Sequence, residues 1–287
     1  MPAANRFVHT AAQGLMALAV ALLLAPAAAD TELRARWVID PTDMKDPDAS
    51  YWAGLPAVGV PLAPQVVALP RHENIAVAEL AVKAAHNGHR IAFLIEWRDP
   101  TRNDRIVTDE FGDQVAVELP VRYQKDALPS PMMGHKGSRV TILQWRAAFQ
   151  QDLEAGEPQV RDLYPYALVD IYPDQVLRAI DARPYLGAVG LDNPISHPVR
   201  TPVLDQMAEG WGTMTVKPAQ HADGRGVWRD GRWRVVISYP FHAGGDSDPA
   251  LAVGAQTVAA FAVWDGGARE VGSRKAWSNW VPLTLEP

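Results

Sequence analysis

The chain has 287 residues, of which 48% are apolar and 21% charged, with a net charge of −6. This length permits one large domain or two small ones around a real core, and the acidic balance argues against nucleic acid as a partner. No cysteine is present, which excludes disulfides, thiolate zinc sites, iron–sulfur clusters held by this chain and covalent c-type haem attachment.

The first element is an address. Residues 1–29 carry one early Arg, an apolar run from Gly14 to Leu24 and the small residues of "APAAA". This pattern predicts a secretory signal peptide cleaved after Ala29. The run is too short for a comfortable membrane span, and no later stretch reaches 18 consecutive apolar residues. There is no Arg-Arg pair, so ordinary unfolded export is expected. Residues 30–287 are then one exported domain without a membrane span.

Residues 79–99 hold two apolar runs around Asn87-Gly88, the strongest short hairpin signal. His86 and His89 flank that turn and read as solvated. Asp99, Asp104, Asp109 and Glu110 follow; they could bind a cation, but a charged loop is more often solvated. Residues 114–123 alternate as a strand does. Residues 140–156 read as a helix, with Val140, Leu143, Ala147 and Phe149 inward and Gly156 as the stop.

From 157 to 222 the pattern weakens, and Pro and Gly punctuate it. Short helices such as 201–210 are expected there, so residues 140–222 form a helical or irregular excursion over the sheet. Such excursions serve as lids or partner surfaces. Residues 226–241 form a second hairpin turning at Asp230-Gly231, and 256–266 and 276–287 complete the strands. The fold class is mainly β, an antiparallel β-sandwich with short helical excursions. The ten Trp residues are many for this length; they suit a large core or a cofactor pocket.

Enzyme motifs are missing: there is no H-E-x-x-H, no G-x-S-x-G and no Walker A loop. The loop 129–137, "PSPMMGHKG", is the unusual feature. A thioether is a poor acid, base or nucleophile but a good soft ligand for copper or haem iron. A blue-copper site needs Cys and is excluded. A copper-carrier site of Met132, Met133 and His135, a haem site with one axial Met, and plain loop packing all remain open from spacing alone.

Four stretches in order carry a resemblance: "VKAAHNGHRIAFLIEWRDPTRND", "MMGHKGSRVTILQWRAAFQ", "GRGVWRDGRWRVVISYPF" and "VAAFAVWDGGAREVGSRKAWSNW". "YPYALVDIYP" and "AEGWGTMT" add to it. Together they resemble the haem b-binding gamma subunits of periplasmic molybdenum enzymes of the dimethyl sulfoxide reductase superfamily. That group includes the gamma subunits of ethylbenzene dehydrogenase, dimethylsulfide dehydrogenase, selenate reductase and chlorate reductase. The resemblance implies a DOMON-type sandwich, similar to the cytochrome domain of cellobiose dehydrogenase. It also implies one non-covalent haem b held by an axial Met and Lys.

Carried over residue by residue, the Met is Met133, directly before Gly134, with Met132 in reserve. The Lys is Lys275 in "GSRKAWSNW", with Lys217 in "TMTVKPAQ" as the other candidate. The family's small polar residue after this Lys is replaced by Ala276. Lys136 is too near Met133 in sequence to reach the opposite haem face. Arg139 and Arg274 flank the two ligand segments as candidate propionate partners, and Trp145, Trp264 and Trp277 as pocket walls. The implied partners are a molybdopterin-containing alpha subunit, an iron–sulfur beta subunit and a soluble periplasmic electron carrier such as a c-type cytochrome. The chain is then an electron-transfer subunit and not itself an enzyme. The contrasting reading is a haem-free secreted sandwich that binds a ligand through its Trp residues or serves as a structural subunit. That protein would be colourless.

Overall fold

A computed structural model describes residues 32–40, 43–156, 158, 160–166, 180 and 200–287. In chain order the strands are β1 (Leu33–Trp37), β2 (Val58–Pro61), β3 (Ala63–Pro64), β4 (Glu79–His86), β5 (Arg90–Arg98), β6 (Gln114–Pro120) and β7 (Val140–Arg146). Two helices follow, α1 (Ala147–Ala155) and α2 (Val160–Leu163). Then come β8 (Val203–Ala208), β9 (Thr215–Val216), β10 (Asp223–Arg229), β11 (Arg232–Pro240), β12 (Gln256–Trp264), β13 (Ala276–Trp277) and β14 (Val281–Leu285).

The strands form two packed layers. One runs β10-β11-β5-β4 and the other β14-β12-β6-β7-β8-β9. β1 pairs in parallel with both β4 and β14 and so ties the layers along one side. Every other pairing is antiparallel. The expected sandwich is therefore present, with β1 as a parallel exception.

Both predicted hairpins form. Asn87 Oδ1 accepts the backbone N–H groups of His89 (3.0 Å) and Arg90 (2.8 Å), closing the β4–β5 turn. Asp230 and Gly231 take the left-handed conformations that a tight hairpin turn requires (φ 53° and 70°). His86 departs from its reading as a solvated residue. It is fully buried, and its Nε2 lies 2.7 Å from the Glu286 carbonyl oxygen.

The period of two assigns the core. Phe93, Ile95 and Trp97 of β5 and Trp233, Val235 and Ile237 of β11 face Val115, Val117 and Leu119 of β6, with Leu143 and Trp145 of β7 and Phe261 and Val263 of β12. The Trp145 and Trp233 rings meet edge-on, 5.0 Å between centroids. Such a pair adds about 0.5–1.5 kcal/mol beyond its buried area. Trp145 thus belongs to the intersheet core and not to a cofactor pocket.

Two helix readings are corrected. Residues 140–146 are strand β7, paired with β6 on one side and β8 on the other; only 147–155 are helical. The sequence "VTILQWR" also satisfies a two-residue alternation, and the two flanking strands decide between the periods. Residues 203–208 are strand β8 rather than a short helix, for the same reason. The stretch "YPYALVDIYP" lies outside the described residues from position 167 onward, as does the signal-peptide segment.

Candidate functional site

Strand β6 is buried at all seven positions. Val115, Val117 and Leu119 explain one face. Gln114, Ala116 and Glu118 point to the other, the outside of the sandwich, where a cavity of about 910 Å³ lies. Ile142, Gln144 and Arg146 of β7 and Ala260, Ala262 and Trp264 of β12 complete its floor. The ladders align these rows: Ala116 is opposite Gln144 and Ala262, and Glu118 is opposite Ile142 and Ala260. Three alanines leave the floor low and flat enough for a planar ligand.

Loops form the walls. Residues 130–136 close one side, 210–214 another, and 271–277 with Trp277 a third. The Met loop is rigidly held. Met133 and Gly134 are both left-handed (φ 70° and 73°). The Met133 carbonyl accepts the Gly210 N–H at 2.8 Å, and the Gly134 N–H donates to the Ser130 carbonyl at 2.9 Å. A Cβ on Gly134 would stand 2.6 Å from the Ser138 carbonyl oxygen, so only glycine fits there. Trp280 Nε1 anchors the start of the loop by donating to the Pro129 carbonyl at 2.7 Å.

Met133, Met132, His135, Lys136 and Lys275 all line the cavity. Met133 is partly buried against the apolar cluster that contains Ala116, Ile142 and Ala262, whereas Met132 is exposed. The Lys275 ammonium sits 5.1 Å from the centroid of the Trp264 ring. Burial lowers its pKa, and the Glu118 carboxylate opposes that shift. Glu118 is itself pushed up to about 8 by burial, against the pull of Lys275 and of the Met133 backbone N–H that faces it. The structure therefore brings Met133, Lys275 and Glu118 together. Sequence reasoning missed Glu118; its signal was an acidic residue in the middle of an apolar strand.

Lys217 lies elsewhere. Its ammonium is 2.9 Å from Asp205 Oδ1 and 2.8 Å from Asp248 Oδ1, and it does not line the cavity. Arg139 pairs with Glu209 at 2.9 Å, and Arg274 lies over the Phe111 ring; neither lines the cavity. The guanidinium that does is Arg146. Its Nε has no hydrogen-bond partner, and no ion pair reaches it among the described residues. Burial lowers its pKa. Reading 140–156 as a helix hid this residue, because only a strand puts Arg146 on the same face as Gln144.

The donor set suits a haem. The cavity offers a thioether, a lysine amine whose neutral form burial favours, flat apolar walls and an uncompensated cation for a carboxylate. Residues 49–164 match the model of the ethylbenzene dehydrogenase family. A Haloferax mediterranei protein provisionally named a respiratory nitrate reductase heme subunit is 24% identical over 244 residues, covering 85% of this chain and 69% of its own. The chlorate reductase subunit gamma of Ideonella dechloratans is 26% identical over 82% of this chain and 76% of its own. The dimethylsulfide dehydrogenase subunit gamma of Rhodovulum sulfidophilum is 26% identical over 84% and 76%.

The chain is similar to these three proteins over most of its length. The resemblance carried by its motifs is thereby borne out. Among solved structures, a family 9 carbohydrate-binding module of Caldicellulosiruptor kristjanssonii in complex with glucose is similar at 10% identity and a TM-score of 0.41, over 88% of this chain and 95% of that one. That likeness is too loose to carry an argument. No helix among the described residues is long and apolar enough to cross a membrane.

Proposed function

We propose that this chain is the haem b electron-transfer subunit of a periplasmic molybdoenzyme complex, with Met133 and Lys275 as the residues that would hold the iron. The observation that carries this reading is the cavity on the outer face of β6, β7 and β12. It has a thioether and a buried amine around a floor that three alanines keep flat. A haem held there by Met133 and Lys275 would supply one-electron transfer.

The chain's own residues do the rest. Met133 is held by its backbone hydrogen bond to Gly210 and has little freedom to leave the site. Thioether ligation favours the reduced metal and raises the potential. Lys275 ligates only as the neutral amine, and its buried position favours that form. Arg146 is the donor for a propionate. The apolar walls of Trp264, Trp277 and Ala262 exclude water and keep reorganisation small. The partners on this reading are a molybdopterin-containing alpha subunit, an iron–sulfur beta subunit and a soluble carrier such as a c-type cytochrome. Residues 1–29 would direct export and be removed in the course of it.

The test is an absorption spectrum of the full chain expressed with ample haem supply. A Soret band with sharp bands on reduction, and haem extractable by acid acetone, is expected. Met133→Ala and Lys275→Ala should each abolish the six-coordinate low-spin spectrum, while Met132→Ala and Lys217→Ala leave it. A colourless, folded protein would overturn the reading.

A further inference from the structure

At the end of the sandwich where β5, β6 and β12 approach one another, three buried carboxylates converge. Asp99 follows β5, Asp113 precedes β6 and Asp265 follows β12. Each offers an oxygen, and these oxygens lie within 4.8 Å of one another. Asp99 and Asp113 are fully buried and Asp265 nearly so. The loop carrying Asp99 is therefore not a uniformly solvated acidic segment: Asp109 and Glu110 are exposed, but Asp99 turns inward.

Among the described residues, no cation offsets these charges. Three arginines of the neighbouring loops are engaged elsewhere: Arg102 with Asp104, Arg269 with Asp109, and Arg274 over the Phe111 ring. Among the described residues, none of the three carboxylates forms an ion pair with Lys, Arg or His. Hydrogen bonds satisfy part of the group. Asp113 accepts from the Asn103 N–H (2.8 Å), Trp233 Nε1 (2.9 Å) and the Gly266 N–H (2.9 Å). Asp99 Oδ1 accepts from the Thr101 N–H (3.0 Å) and hydroxyl (3.2 Å). Asp265 Oδ1 accepts from the Ala268 N–H (2.9 Å). Asp99 Oδ2 is fully buried and makes no hydrogen bond of good geometry; the Trp97 side chain, whose Nε1 also lacks a partner, is the donor that faces Asp99. The charges acting on Asp99 and Asp113 are those of Asp265 and Asp99, respectively.

Buried charges in proteins are paired or coordinate metals. We propose that Asp99, Asp113 and Asp265 form a site for one hard divalent cation of the calcium class. The donors are all oxygen, which excludes soft metals. Ligand oxygens that share calcium at 2.3–2.6 Å are separated by at most about 5 Å, as these are. Magnesium, with shorter bonds and several retained waters, suits an enclosed three-carboxylate site less well. The site joins the end of β5, in one layer, to the ends of β6 and β12 in the other. The ion is a clamp between the two sheets. It also fixes the residue after Trp264, a wall of the larger cavity.

The experiment uses the full chain, stripped with chelator. Calcium chloride is titrated calorimetrically, and thermal unfolding is followed in chelator and in 1 mM calcium. One equivalent should bind, and the midpoint should rise by about 5 °C or more. Asp99→Asn keeps the size and the Thr101 contacts, so it should still fold but bind calcium at least tenfold more weakly and lose the thermal shift. Asp265→Asn serves as the second variant. Superimposable wild-type melting curves with and without calcium, or absence of saturable binding, overturn the proposal. So does a calcium shift that survives unchanged in both variants. Neither readout depends on haem, so the outcome is independent of the larger cavity's ligand.

Discussion

The backbone N–H of Met133 faces the carboxyl group of Glu118. The same carboxyl opposes the loss of the Lys275 proton. One buried acid thus feels both proposed iron ligands, the first through its main chain and the second through its charge. Glu118→Gln keeps the size and an acceptor oxygen but removes the charge. Lys275 should then give up its proton more readily. In a pH titration of haem binding followed by the low-spin spectrum, the midpoint of the variant should lie below that of the wild type. A midpoint that rises would show that the carboxylate helps ligation.

The two lysines of the ligand argument should separate cleanly. Lys217 balances Asp205 and Asp248 in a buried cluster. Lys217→Met leaves two carboxylates without their cation, and breaking such a buried pair costs about 3–5 kcal/mol. Denaturant unfolding should report that loss, while the folded fraction keeps its haem spectrum. Lys275→Met should do the reverse: little or no loss of stability without haem, because a desolvated cation is removed, and a changed spectrum with it.

How legible this was differs from residue to residue. Asn87-Gly88 and Asp230-Gly231 announce their hairpins, because few residues take the backbone conformations of a tight turn. The β6 strand was also legible, but not what covers its second face. A strand buried on one side and a strand roofed by a cofactor loop differ only in residues far along the chain. Residues 140–146 satisfied a helical period as well as an alternating one, and pairing with β6 and β8 decided between them. The misassignment hid Arg146, which needs a strand to reach the cavity. Asp99, Asp113 and Asp265 are separated by 14 and by 152 positions, so only the sheet topology could bring them together.

Gly134 tests whether the Met loop is built for one thioether. Its φ of 73° and the Ser138 carbonyl 2.6 Å from the place of a Cβ leave no room for a side chain. Gly134→Ala should cost about 1–3 kcal/mol, from the left-handed penalty and the forced shift. The haem-free protein should show that loss in its melting curve. Haem should also bind more weakly, because the displaced loop carries Met133 with it. Gly137→Ala, also at positive φ but with nothing within 4 Å of the added carbon, should lose stability without losing haem.

The Asp248 carboxyl gives a pH prediction. Burial pushes its pKa up, but hydrogen bonds from Lys217 and Tyr239 outweigh this and hold it below the ordinary aspartate range. A depressed acid contributes stability above its unfolded pKa, and that stability is lost as pH falls through the folded value. Urea midpoints should therefore drop below about pH 4. Asp205, raised by burial, acts in the opposite sense above that range. Comparison with Asp248→Asn isolates the first effect: the variant should be less stable at neutral pH and should show a shallower acid fall.

Arg146 supplies the sharpest test of an anionic ligand in the cavity. Its guanidinium is partly buried over the Phe149 ring, its Nη2 donates to Gln144 Oε1 at 3.1 Å, its Nε lacks a partner, and no carboxylate of the described chain offsets it. A charge held this way costs stability unless something binds it. Arg146→Gln should therefore leave the haem-free protein as stable as the wild type or more so. If a propionate accepts its hydrogen bonds, the same variant should bind haem about 10- to 100-fold more weakly, since such a charge-assisted bond is worth roughly 1.5–3 kcal/mol. Esterified haem, which lacks the propionate charge, should bind wild type and variant alike. Opposite signs in the two measurements would identify a binding residue, whereas parallel losses would make Arg146 a packing residue only.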